Sequence, residues 1–193
     1  MKKKTTNSDS IQRSRINNKT EKLVMTALFT ALIAVCSMIT IPTAIPFTLQ
    51  TLAVCLSGGV LGLKRGTLSV IVYILLGLAG APVFSGFKAG PSVLMSPTGG
   101  YIIGFIATVA VVGFVSDKLG TKIWTSLLSM SLGVLLCYLF GTVWFIILYS
   151  STKGDIGIIK VLSICVFPFI AFDALKIAVA AVLTNRLKRI IRN

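Results

Sequence analysis

Apolar residues run along this chain in long blocks, broken by short polar or Gly/Pro-rich interruptions. The blocks cover about Leu23 to Ile41, Phe47 to Leu63, Thr67 to Leu78, Tyr101 to Val115, Ile123 to Tyr149 and Ile158 to Leu183. A helix needs about 20 mainly apolar residues to cross the hydrocarbon core of a bilayer. The pattern therefore predicts an all-α membrane protein, a bundle of six transmembrane helices. Residues 1–22 are polar and lack apolar periodicity, so a flexible basic tail is expected there, followed by the membrane domain over 23–185 and a second basic tail over 186–193.

Within the blocks, small residues mark places of close approach. Ala27 and Ala31 lie four apart on the first predicted helix, and Gly58, Gly62 and Gly66 continue that spacing on the second, a pattern that lets helix backbones pack tightly. For the two alanines, internal packing and an external partner are both open. The turn between the second and third helices is expected at Lys64-Arg65. Trp124, Trp144 and Tyr149 fall near the ends of the fifth helix, where interfacial aromatics belong. Pro168 should kink the sixth helix one turn before Asp173.

One stretch fits neither a helix nor an ordinary solvent loop. From Gly77 to Tyr101 the chain is apolar yet holds four glycines before the helix-opening Gly99-Gly100, with Pro82, Pro91 and Pro97 in the same segment. Irregular backbone at a membrane must be buried in protein or line a cavity. A lid is expected here, with Pro82, Phe84 and Phe87 as its apolar face. Thr98 is a candidate cap for the fourth helix.

Charge then sets the topology. The chain carries 19 Lys and Arg against 5 Asp and Glu, a net charge of +14. These cations sit at block ends and not on a stripe with interleaved aromatics, so nucleic acid is not the expected partner; a lipid bilayer is. Fifteen Lys and Arg fall on one side of the six-helix layout and three on the other, which predicts both termini in the cytoplasm and a multi-pass protein of the plasma membrane. With no histidine, a His-based triad and a His-ligated zinc site are excluded. Cys36, Cys55, Cys137 and Cys165 are isolated, without metal-ligand spacing, and read as packing residues. No enzyme chemistry and no cofactor is expected. There is no phosphate-binding G-x-x-x-x-G-K-[ST] loop, so any ATP hydrolysis belongs to another polypeptide.

The candidate chemistry lies in the last block, where Asp173 and Lys176 interrupt an apolar run. An ionisable residue near the bilayer centre costs about 3 kcal/mol even on insertion scales, and such residues face the protein interior and mark functional sites. Their i, i+3 spacing puts both on one helix face. They either bridge a polar ligand or neutralise each other.

Five separate motifs resemble one family. They are Ile45-Pro46-Phe47-Thr48-Leu49-Gln50-Thr51-Leu52-Ala53-Val54, Leu61-Gly62 to Gly66, Tyr73-Ile74-Leu75-Leu76-Gly77-Leu78-Ala79-Gly80-Ala81-Pro82-Val83-Phe84, Pro97-Thr98-Gly99-Gly100-Tyr101, and Phe167-Pro168 followed by Asp173-Ala174-Leu175-Lys176. In order and spacing they are similar to the BioY substrate-binding (S) components of energy-coupling factor (ECF) transporters. Two departures are Ser96 before Pro97, where the family has glycine, and Lys88, where small residues are common. The resemblance implies the six-helix S-component fold and biotin as ligand. It also implies as partners an ECF transmembrane coupling protein and two cytoplasmic ATPase subunits. It turns Ala27 and Ala31 into candidates for docking on the coupling protein. The implied ligand-binding residues are Asp173 and Lys176 with Gln50, Thr48, Tyr73, Thr98 and Tyr101. The rival reading is a stand-alone proton-coupled transporter in which Asp173 carries the proton.

Overall fold

A computed structural model describes residues 7–41, 45–153 and 157–192. Among the described residues the regular structure is helical apart from one short ribbon. Helix α1 spans Asn7–Met38, α2 Gln50–Leu78, α3 Gly99–Leu119, α4 Ile123–Lys153, α5 Ile158–Cys165 and α6 Phe167–Arg192. Strands β1 (Thr40–Ile41) and β2 (Phe47–Thr48) pair antiparallel between α1 and α2. Among the described residues five helical stretches are long and apolar enough to cross a membrane: α1 from Lys19, α2, α3, α4, and α5 with α6 together. Pro42, Thr43 and Ala44 of the first connection, and Gly154 and Asp155 of the last, lie outside the described residues.

Three expectations are corrected. Helix α1 begins at Asn7, inside the segment expected to be a flexible tail. The polar residues there include Gln, Arg, Lys and Glu, good helix formers that extend a helix already nucleated by its apolar part. The break after the second block lies at Gly62 and not at Lys64-Arg65, which are already helical. Gly62 has φ 77° and ψ −174°, a conformation open essentially to glycine alone. The chain folds back there, because the Ser57 and Ser69 hydroxyls are 2.6 Å apart, whereas in a straight helix twelve residues span about 18 Å. Gly58 and Gly66 therefore face each other across a hairpin and do not form a seam along one helix. A Cβ on Gly66 would lie 3.0 Å from the Gly58 Cα. Third, Trp144 is not a free interfacial anchor; its indole N–H donates to the Ser96 carbonyl at 3.1 Å and holds the 79–98 loop against α4. Trp124 is exposed.

The break between α5 and α6 falls at Val166, with φ −130° and ψ −58°. Pro168 explains it: the proline has no N–H for the preceding turn, and its ring clashes with the carbonyl four residues back, so a new helix starts beside it. This turns Asp173 and Lys176 towards α2 and α4. Besides a small cluster around Ile45, Phe145, Val161 and Cys165, two larger apolar clusters fill the bundle. One, around Ile33, Val54, Val70, Phe84 and Phe105, surrounds the site described below. The other gathers around Phe29, Leu56, Val112, Met130 and Ala180.

Candidate ligand-binding site

A cavity of about 170 Å³ opens among α2, α3, α4, α6 and the 79–98 loop. At the ~10–15 Å³ one water needs, it has room for roughly a dozen water-sized groups, the scale of a small metabolite. Its wall carries all seven residues singled out for ligand contact: Thr48, Gln50, Tyr73, Thr98, Tyr101, Asp173 and Lys176.

Asp173 and Lys176 are 4% and 6% exposed and form an ion pair with Nζ to Oδ1 at 2.9 Å. One helical turn separates them, as the i, i+3 spacing requires. Two further partners complete the pair. The Tyr138 hydroxyl of α4 donates to Asp173 Oδ2. Lys176 Nζ donates to the Thr48 carbonyl at 2.7 Å and sits 4.1 Å from the centre of the Phe47 ring. Phe47 is itself stacked on Phe169 and edge-on to Phe172. The ribbon residue Thr48 is thus tied to α6 by a charge-assisted bond, which is stronger than a neutral one.

The other polar wall residues divide into engaged and unengaged. The Tyr101 hydroxyl donates to the Cys165 carbonyl at 2.9 Å, pinning α3 to the end of α5. The Thr98 hydroxyl pairs with Ser96 at 2.8 Å and makes no capping bond to α3, so the expected cap is absent. The motif's glycines have steric roles instead. A Cβ on Gly99 would fall 1.8 Å from the Leu94 carbonyl oxygen, and one on Gly100 would strike the Trp144 side chain at 2.3 Å. By contrast, Gln50 Nε2 and the Tyr73 hydroxyl are buried without a hydrogen-bond partner. Ser37 and Gln50 lie beside that hydroxyl, but neither meets hydrogen-bond geometry. A buried donor left unpaired costs about 1–3 kcal/mol, so two on one cavity wall point to a ligand that completes them.

Of the lid candidates, only Phe84 lines the cavity. It is 1% exposed, packs edge-on against Tyr73 at 5.6 Å, and covers Gly77, where a Cβ would lie 2.2 Å from the ring. Pro82 and Phe87 do not line the cavity; both are exposed, Phe87 at 64% and with φ 58°. The loop is anchored from α1 by the Ser37 hydroxyl, which donates to the Val83 carbonyl, and by Ser85 donating to Thr40 at 3.0 Å. Ala27 and Ala31 do not line the cavity and lie on an exposed face of α1 with Leu23, Val24 and Leu28.

Sequence reasoning missed Tyr138, Phe47 and Lys88. Lys88 sits on the cavity wall from the loop side. Tyr138 lies alone in the apolar middle of α4, where a tyrosine carries no distinguishing signal in the sequence.

Comparison with known proteins agrees with this architecture. The family model described as "BioY family" matches residues 3–193. A biotin transporter BioY of Thermotoga maritima is 42% identical over 170 residues, covering 88% of this chain and 96% of the relative. A probable biotin transporter BioY of Pyrococcus horikoshii is 37% identical, with 88% and 98% covered. The crystal structure of an S-component for biotin from an ECF-type ABC transporter superposes with a TM-score of 0.80 at 30% identity, covering 90% of this chain and 93% of that one. The family model spans nearly the whole chain, and relatives 37% and 42% identical are matched almost end to end, so the chain belongs to the BioY family.

Proposed function

We infer that this chain captures biotin from outside the cell as the membrane-embedded S component of an ECF transporter. One observation carries the reading: a buried acid-base pair on the wall of a metabolite-sized cavity, with two unpartnered polar groups beside it. Biotin offers complementary chemistry. Its ureido ring has two N–H donors and a carbonyl, its thioether ring is largely apolar, and its side chain ends in a carboxylate. Asp173 already holds Lys176 and Tyr138, but a carboxylate has about four lone-pair sites and can accept ureido N–H groups as well. Gln50 Nε2 suits the ureido carbonyl. Lys176 is engaged by Asp173, Thr48 and the Phe47 face, which leaves Lys88 as the other cation on the wall to meet the carboxylate. Phe84, Phe105 and Phe169 supply apolar wall.

The six-helix topology follows if the two limbs of α2 are counted separately and α5 with α6 as one crossing. Both termini then share a side, and the excess of Lys and Arg there makes it the cytoplasm. The site's mouth faces outwards under the 79–98 loop. Energy would come from a transmembrane coupling protein and two ATPases, docked through the Ala27 and Ala31 face of α1, whose exposure supports that assignment.

The test is equilibrium binding of biotin to the purified chain, with thiamine as control. Asp173→Asn is expected to weaken biotin at least tenfold, about 1.4 kcal/mol, in a protein that still inserts and purifies. Thiamine should not bind. A folded wild-type chain that binds no biotin overturns the reading. Uptake by vesicles holding this chain alone, abolished by a proton uncoupler, would instead favour the proton-coupled carrier.

A further inference from the structure

A second polar pocket lies at the other end of the bundle, where the turn between α3 and α4 meets the last turns of α6. Ser116, Asp117, Gly120, Thr121, Lys122, Asn185, Lys188 and Arg189 form its wall. It is built, not accidental. The Asn185 side-chain amide donates to the Thr121 carbonyl at 2.7 Å and fixes the turn on α6. Lys188 Nζ donates to the Ser116 hydroxyl at 2.6 Å, and that hydroxyl donates to the Gly59 carbonyl at 2.7 Å, so the lysine is held in place by a relay reaching α2.

The charge in this pocket is unbalanced. Its single acid, Asp117, is turned away to the hairpin, where it accepts the Leu63 N–H at 2.9 Å at the positive end of the second limb of α2. Three cations share the wall: Lys188, which is already partnered, and Lys122 and Arg189, which are exposed at the opening. The flanking residues Leu119, Ile123, Trp124 and Ile190 are all exposed and apolar. A site with cations in the hollow and an apolar rim fits a molecule that has a phosphate at one end and acyl chains at the other. Basic pockets between membrane helices at a cytoplasmic face take such headgroups. We propose that this pocket binds the phosphate headgroup of an anionic membrane phospholipid, with its acyl chains against the Leu119, Ile123, Trp124 and Ile190 rim. The site is independent of biotin capture and lies on the same end of the bundle as Lys64 and Arg65.

The experiment titrates the purified full chain with phosphatidylglycerol, or with phosphatidylcholine of the same acyl chains, and counts bound lipid by native mass spectrometry. Wild-type protein is expected to prefer phosphatidylglycerol. Lys188→Gln with Arg189→Gln should lose about fivefold per cation, roughly 25-fold together, while biotin binding is unchanged. Lys64→Gln with Arg65→Gln removes the same charge from the same end of the bundle but outside the pocket, and should weaken lipid binding distinctly less than the pocket pair. Should the loss of the Lys188 relay impair folding, Lys122→Gln with Arg189→Gln alters only exposed cations and carries the same expectation. Equal losses in the pocket and control variants would mean a diffuse field and no site. Displacement of the lipid by inorganic phosphate at matching concentration would mean a site for a free anion. Either result, or no preference for the anionic lipid, overturns the proposal.

Discussion

At the inner end of α2, Ser57 and Ser69 bond each other, Ser69 donates to the Gly66 carbonyl, Ser116 donates to the Gly59 carbonyl and Asp117 accepts from Leu63. At the outer end, Gln50 and Tyr73 are buried with a donor unspent. The same helix therefore uses polar residues in two ways. Where they satisfy one another between glycine backbones they fasten the hairpin. Where they stop short of doing so, beside a buried ion pair, the deficit faces an enclosed space. The unpaired hydroxyls of Thr67 and Thr184 do not border that space; Thr184 is pressed onto Gly59. An unpaired polar group marks a site only when there is also room for a ligand.

The largest effect should come from breaking the ion pair. Lys176→Met leaves Asp173 buried with Tyr138 as its remaining side-chain partner, and removing one member of a buried pair costs about 3–5 kcal/mol. Thermal unfolding in detergent should show a large drop in stability. Adding Asp173→Leu should restore most of it without restoring biotin binding, because apolar replacement of a whole buried pair is often neutral. If the double variant stays as unstable as the single, the pair is structural and the contrast between the two ends fails.

Next is the inner end. Gly62→Ala forces a side chain into a glycine-only conformation, at about 1–3 kcal/mol, and its Cβ would fall 2.2 Å from Asp117 Oδ1. Stability should fall while the affinity of the folded fraction for biotin stays within about twofold, since that end holds the hairpin and not the ligand. Gln50→Leu should do the reverse. Removing an unpaired buried donor costs no native hydrogen bond and relieves a penalty of about 1–3 kcal/mol, so stability should hold or rise as biotin binding weakens. Loss of both together would place Gln50 in the scaffold.

Asp173 and Lys176 were legible in the sequence because lipid penalises charge so heavily that an acid and a base one turn apart inside an apolar run need a reason. The seven candidate wall residues converge because the motifs fall at the outer ends of helices that the bundle brings together. Tyr138 stayed hidden, since a tyrosine in an apolar helix is ordinary and only the fold puts its hydroxyl on Asp173. The hairpin was misplaced for a different reason. Lys64-Arg65 looks like a turn because it is charged, yet what reverses the chain is positive φ, and that was available at Gly62 two residues earlier. Likewise the polar residues after Asn7 carry no apolar face, and continuing a helix already nucleated does not require one.

The smallest change is the most discriminating. Tyr73→Phe removes one oxygen and keeps the ring, so the edge-on contact with Phe84 and the packing over Gly77 should survive. In the free protein that hydroxyl has no hydrogen-bond partner, so its loss should leave thermal stability unchanged or slightly raised. With biotin bound, the hydroxyl would complete a neutral hydrogen bond worth about 0.5–1.5 kcal/mol, and calorimetry should find an affinity weaker by roughly two- to tenfold. The stability and affinity readings separate the two uses of polar residues at a single atom. A hydroxyl fastening the fold would cost stability and leave the ligand alone, as expected of Ser57 or Ser69 at the other end of the same helix. A hydroxyl held for a ligand costs affinity alone, because the group it waits for is absent until biotin enters.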